Sequence, residues 1–431
     1  MKVQTRRRKN AEFTRKVITD VAAIIRKSKL SSILKVVINK RYQTPCRSLT
    51  FHSSWISSVS ICMDYTPILI RSQYDDDLRY RMVGVSASSG PSLCVFDIEL
   101  GKKLFDINGH ASVVYSVAIS RPLEQSETMP VIVSGSHDGL MKVWDLQSGN
   151  CVHEIGKHHH EGPVRAISVY EGLNPMVYSA ASNTIWVWLL ETAELITTVT
   201  HNTKPILCIT TFRAVEAFAD ETRPAVIVSG SQDGTVAVFQ METYQLLHML
   251  HGHTGPVHCV EVAKTNRPVL VSGGFDHTAR VWDVIDGDLL YVIDDHHCPI
   301  YAVNILPTPR MGILLGSAEG RVHVYDIANG SLVFELLGHT GPVRGIASTL
   351  VPRPIIITGS HDGSVKVWDV LVEDKTGFEE LHAASQAIKD VFEWKDMAAI
   401  ALQDDFSDSD EEVDETKGHS DGSMNGDERI G

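Results

Sequence analysis

The residues of this chain that could do chemistry recur in sets. His110, Ser134, Asp138 and Trp144 have counterparts in His253, Ser272, Asp276 and Trp282, and again in His339, Thr358, Asp362 and Trp368. Histidine, aspartate and serine together are the parts of a hydrolase triad: a base, the carboxylate that orients it, and a nucleophile. A catalytic centre is assembled once, however, and this set is written at least three times. The recurrence points to structure, and no residue of the sets is read as catalytic.

Other chemistries find less support. His158, His159 and His160 lie near Cys151 and His153, but their spacing fits no standard zinc site. His296, His297 and Cys298 fall at the equivalent point of a later repeat and are read as loop residues too. No glycine-rich loop of the phosphate-cradling kind occurs. The seven cysteines include no CxxC pair, which fits packing thiols in a reducing compartment. The sequence therefore implies no metal, no cofactor and no enzymatic activity.

The elements that must position these residues are hairpins. VIVSGSHDGLMKVWD, VIVSGSQDGTVAVFQ, VLVSGGFDHTARVWD and IIITGSHDGSVKVWD end at Asp145, Gln240, Asp283 and Asp369. In each, a β-branched run meets an Asp-Gly-type turn and returns as an alternating strand. Weaker copies end at Asp97, Leu189 and Asp326. Ahead of each hairpin stands a histidine, as in GHASVVYSV and GHTGPVRGI. The seven markers are His52, His110, His160, His201, His253, His296 and His339.

Here the chain resembles the WD-repeat family, over roughly residues 47–370. The resemblance implies an all-β, seven-bladed WD-repeat β-propeller; the apolar spacing of the flanks adds short helices, and the polar acidic C-terminal stretch a disordered tail. Each unit would be a four-stranded sheet with two apolar faces, stable only when neighbours cover them. The resemblance further implies that each His–Ser/Thr–Asp–Trp set forms a buried hydrogen-bonded chain. Several units depart from the pattern: Phe239 stands for Trp; Leu315, Glu319 and Tyr325 replace Ser, Asp and Trp; the third turn is shortened at Ser182–Asn183; the first unit lacks the Asp. Those blades are expected to rely on apolar packing alone. The ring is expected to close with CRSLTF, residues 46–51, in preference to GFEELH, residues 377–382.

In the family, partners bind on the face carrying the histidine loops and hairpin turns. Carried over unit by unit, the exposed positions are Trp55, Tyr115, His137, Arg165, Leu207, Gln232, His258, Phe275, Tyr301, Arg344 and His361. Aromatics mixed with arginine make interface hot spots. Arg165 and Arg344 suggest an acidic or phosphorylated peptide. The expected role is a non-enzymatic scaffold or adaptor for protein partners. The alternative is a dedicated subunit of one assembly, of ribosome-maturation, vesicle-coat or ubiquitin-ligase type.

Charge divides the 431 residues unevenly. Residues 1–43 carry about +11 and residues 403–431 about −9, so the middle holds about −16 of the net −14. Such a core repels nucleic-acid phosphates on average, so a nucleic-acid role would need a local basic patch or the basic arm 1–43. The expected divisions are that arm, the propeller at 44–382, a short amphipathic helix at 383–402 and the acidic tail at 403–431, where Ser407 and Ser409 precede acids. The arm fits a nuclear-import signal, a mitochondrial presequence, a membrane-surface segment or a helix packed on the propeller. No run of apolar residues is long enough to span a membrane. The protein is expected inside the cell, in cytoplasm or nucleus, with mitochondria as a further option.

Overall fold

In the computed structural model, twenty-eight strands among the described residues, numbered β1–β28 in chain order, assemble into seven antiparallel four-stranded sheets. The described residues lie between 45 and 369, apart from 46, 63–81, 121–129, 157–159, 172–173, 201–202, 213–224, 264–267, 307–311 and 350–353. The expected arm 1–43, the helix 383–402, the tail 403–431 and the strand 377–382 lie outside them. Among the described residues there is no helix.

Six of the sheets are meanders of four consecutive strands, with short turns between their second and third strands and β-branched runs on either side. Neighbouring blades bury those runs face to face. Val95, Leu93 and Val85 pack with Val114, Ile132 and Trp144 of the next blade, and the pattern continues around the ring, as with Val226, Val238 and Val257 beside Leu270 and Trp282. Seven clusters in sequence, none complete within one sheet, are what blades apolar on both faces require.

The ring closes through β1 (Arg47–Leu49), which pairs antiparallel with β28 (Val365–Asp369). Arg47 stands opposite Val367 and Leu49 opposite Val365, while Lys366 Nζ donates to Ser48 Oγ at 2.9 Å. The seventh blade thus takes its outer strand from residues that precede the first blade, so the last edge is paired and not left as a template for aggregation.

The innermost strands share one irregularity. They are β2 (Ile56–Cys62), β6 (Val114–Ser120), β10 (Val164–Tyr170), β14 (Ile206–Phe212), β18 (Val257–Ala263), β22 (Ile300–Leu306) and β26 (Val343–Thr349). In all seven the register slips after the first residue, leaving Ser57, Tyr115, Arg165, Leu207, His258, Tyr301 and Arg344 as bulged residues. A bulge releases one residue from the ladder and re-aims its side chain.

Candidate functional face

The three complete sets form hydrogen-bonded chains. Trp144 Nε1 donates to Ser134 Oγ at 2.8 Å, Ser134 Oγ meets His110 Nε2 at 2.7 Å, and His110 Nδ1 meets Asp138 at 3.0 Å. A carboxylate only accepts, so Nδ1 carries the proton and Nε2 accepts from the serine hydroxyl. His253 reaches Asp276 at 2.9 Å and Ser272 at 2.8 Å, with Trp282 Nε1 donating at 2.9 Å. His339 reaches Asp362 at 2.9 Å and Thr358 at 2.7 Å, with Trp368 Nε1 donating at 2.9 Å. Each hydroxyl is both donor and acceptor and lies fully buried inside its blade, where it has no surface open to a substrate.

Each aspartate also locks its own turn to the histidine loop. Asp138 accepts from the backbone N–H of Ala111 and of Leu140, both at 2.9 Å. Burial pushes these carboxyls up, but the donated hydrogen bonds outweigh it and hold Asp138 and Asp276 below the usual range and Asp362 at about 2. Burial holds His110 and His339 below the ordinary imidazole value, so they are neutral links. The turn glycine has a job too. Gly320 has φ +83°, and a Cβ there would lie 2.6 Å from the carbonyl oxygen of His339 in the next blade.

Three departing blades do not rely on apolar packing alone, contrary to expectation. In the first, His52 Nε2 bonds Ser86 Oγ at 2.8 Å without an aspartate. In the third, His160 Nε2 and Trp188 Nε1 both meet Ser179 Oγ at 3.0 Å, and the carbonyl of Gly139 takes the aspartate's place at 3.0 Å. In the sixth, Tyr325 donates its hydroxyl to Asp295 at 2.7 Å and lies 3.1 Å from His296 Nε2. Polar atoms buried by the shared architecture must find partners, and each blade supplies them from whatever residues it has. The fourth blade is the exception: with Phe239 in place of Trp, the buried Ser229 Oγ has no partner among the described residues.

The bulged residues meet one another across blades, and two of them, Tyr115 and His258, also meet the residue that precedes a turn aspartate. Arg344 lies 3.8 Å over the Tyr301 ring, and His258 makes an edge contact with the same ring at 5.1 Å. Phe275, 48% exposed, lies 6.1 Å from His258. Arg165 lies 5.3 Å over Tyr115, whose other neighbour is His137 at 5.9 Å. Trp55 stacks on His361 at 4.8 Å. Burial lowers His258 to about 4, helped by the charges of Arg344 and then Arg165. Burial, then Arg344, also lowers His361. Residues from the first, second, third, fifth, sixth and seventh blades thus share neighbours or fields. Leu207, half-buried, and Gln232, exposed, hold the equivalent positions in the fourth blade.

Two features escaped the sequence reading. Ser57 is the bulged residue of the first blade; it donates to the Val114 carbonyl of the neighbour, and Trp55 precedes the bulge. The bulge is a property of pairing between strands, and no residue type in the sequence marks it. The arginines also proved unlike one another: Arg165 is exposed, whereas Arg344 is half-buried with its Nε hidden and unpartnered. Among the described residues, no carboxylate pairs with either guanidinium.

No helix among the described residues is long and apolar enough to cross a membrane. Comparison with known families matches the WD domain, G-beta repeat, at residues 101–145, 244–283 and 330–369. These segments end on Asp145, Asp283 and Asp369, the blades with complete hydrogen-bonded sets. The chain is 24% identical over 233 residues to the WD repeat-containing protein pop1 of Schizosaccharomyces pombe, covering 45% of this chain and 28% of pop1. It is 26% identical over 105 residues to THO complex subunit 6 of Arabidopsis thaliana, covering 24% of this chain and 27% of that protein. It is 22% identical over 203 residues to the CCR4-associated factor 4 homolog of Vanderwaltozyma polyspora, covering 40% and 29%. The chain thus spans under a third of the length of each of these relatives.

Proposed function

We propose that this chain, a WD-repeat β-propeller protein, is a non-enzymatic scaffold or adaptor that holds acidic or phosphorylated peptide segments of protein partners on the face carrying its bulged residues. The observation that carries this reading is the set Arg344, Tyr301 and His258, in contact across three blades, with a second guanidinium at Arg165 acting on the same histidine. Aromatic walls and unpaired arginines are the ingredients of an interface hot spot for anionic peptides. Relatives named as complex components support a protein-interaction role.

The second reading, a fixed subunit of one assembly, draws on the relative named as a THO complex subunit. Affinity purification of the intact chain separates the two: one stoichiometric complex favours the subunit, varied sub-stoichiometric clients the adaptor. Under either reading the protein works inside the cell, in cytoplasm or nucleus, in keeping with the free thiols of Cys94, Cys151, Cys208, Cys259 and Cys298. The arm 1–43 is the proposed nucleic-acid or targeting segment, and imaging a chain lacking it tests that. For the face itself, alanine at Tyr115, Arg165 and Arg344 together should weaken partner capture and leave thermal stability nearly unchanged. A matching loss of stability would assign those side chains to the fold.

A further inference from the structure

We propose that the basic arm folds back on its own propeller: residues 11–26 dock as an amphipathic helix on the outer rim of the fourth to sixth blades. The outer strands there are β17 (Leu246–Leu250), β21 (Leu289–Ile293) and β25 (Leu332–Leu337). Leu246, Leu247, Leu289, Leu290, Val292 and Leu332 are exposed on them. The three blades are tied side by side at this rim. His248 Nε2 donates to the Ile285 carbonyl of the fifth blade at 2.9 Å, and the Tyr291 hydroxyl donates to the Ile327 carbonyl of the sixth at 2.6 Å. Single apolar residues scattered over a surface are ordinary, but a contiguous band of them marks an interaction site.

Two of these strands lack the charges that protect an outer edge. Elsewhere in the ring, β5 (Lys102–Asn108) carries the ion pair Lys103–Asp106 at 2.7 Å, and β9 (Cys151–Ile155) sets Glu154 against Lys142 at 2.7 Å. In β17 and β21 there is no Asp, Glu, Lys or Arg. Val292 stands opposite Arg280 at the register where Glu154 stands opposite Lys142. Acids bracket β21 instead, with Asp286 and Asp288 exposed before it and Asp294 exposed after it. An apolar strip between acids fits a segment whose apolar stripe is flanked by basic residues.

The arm has that pattern. Phe13, Val17, Val21, Ile24 and Ile25 recur at helical spacing, with Arg15, Lys16, Arg26 and Lys27 around them. The arm also meets the propeller in the right place. Pro45, the first described residue, lies against Gly338 just past β25, where a Cβ on the glycine would come within 3.1 Å of the proline ring. A helix of residues 11–26 is about 24 Å long, and residues 27–44 can span up to about 60 Å, so the tether reaches every part of the band. Tethering also raises the effective concentration of the arm to about the millimolar range. A second copy fits worse, because a two-fold contact would set Asp286, Asp288 and Asp294 against their own counterparts. Arg6, Arg7, Arg8 and Lys9 precede the docked stretch and stay available for the targeting role.

A photo-crosslinking amino acid placed at position 13 of the full chain, with the products mapped by mass spectrometry, tests this. Cross-links should form within one chain and fall on residues 246–250, 285–293 and 332–337. Trypsin should cut after Arg15 and Arg26 at least about tenfold more slowly than in the free peptide 1–43, because a docked site is cleaved only when it opens. Leu246→Asp combined with Leu290→Asp puts charge into the strip. That variant should lose most of the cross-links and regain fast cleavage with its melting temperature unchanged, since both side chains are exposed. Cross-links confined to other blades, or cleavage of the parent chain at the rate of the free peptide, overturn the proposal. Cross-links between chains overturn it in favour of a second copy. Docking that survives in a folded double variant places the arm elsewhere and overturns it too. If the variant unfolds, the cross-link map of the parent chain decides alone.

Discussion

The guanidinium carbon of Arg344 lies 3.8 Å from the centre of the Tyr301 ring, and the two residues belong to adjacent blades. Both are bulged residues of innermost strands, so the contact exists because two sheets carry the same irregularity side by side. Such a cation–π pair contributes about 0.5–2 kcal/mol, enough to hold the arginine in place and too little to hold the blades together. The pair serves the face more than the fold.

The serine at the centre of a blade should matter only where it is bonded. Ser134 joins His110 to Trp144, and Ser134→Ala leaves both without their partner, so chemical unfolding should show a loss of about 1–3 kcal/mol. Ser229 has no partner, and Ser229→Ala should stay within about 0.5 kcal/mol of the parent. Equal losses in the two variants would deny the hydrogen-bonded chain its role.

Ring closure predicts a costly single change. Leu49, 8% exposed, packs with Ile355, Val365 and Val367 from the other end of the propeller. Leu49→Ala should cost about 2–5 kcal/mol, the range for a leucine removed from a core. Urea unfolding measures it, and a change near zero would mean that another segment can close the ring.

Acid should unfold the protein in two stages. Burial, then the neighbouring His323, lowers His296 to about 4. A depressed histidine contributes stability that is fully present above its unfolded value of about 6.5 and is lost as pH falls through the folded value. Asp362, held at about 2 against the opposing effect of burial by bonds from Ser364, Thr340 and His339, contributes above the unfolded value of about 3.9 and loses it as pH falls towards about 2. The urea midpoint should therefore decline first below about pH 6.5 and again below about pH 4. Other buried histidines and turn aspartates share these shifts, so His296→Gln should lessen the first decline and Asp362→Asn the second without abolishing either; an unchanged profile in both variants contradicts this.

Anion binding should take up a proton. Burial, Arg344 and Arg165 hold His258 at about 4 in the free protein, and a bound anion opposes that field and raises it. Sulfate is the suitable probe, since it does not titrate near neutrality. Its affinity should rise several-fold from about pH 7.5 to about pH 5.5 as His258, with a lesser share from His361, gains charge. In His258→Gln most of that rise should disappear. A flat profile in the parent chain would place the anion away from His258.

Much of this molecule was legible in the residues alone. The β-branched runs and histidine loops recur seven times, and a sheet with two apolar faces has to stack, so the blade number followed from the repeat and the three complete sets from the resemblance it carries. The eleven face positions were legible as positions only. Which of them meet was decided by the ring: Trp55 and His361 lie 306 positions apart in sequence yet stack, because closure by β1 sets the first blade beside the seventh. The bulges, the unsatisfied Nε of Arg344 and the substitute bonds of Ser86, Ser179 and Tyr325 depend on register and burial between distant strands. Local sequence specifies a hairpin; only packed neighbours determine which polar atoms are sealed from water and which partners remain within reach.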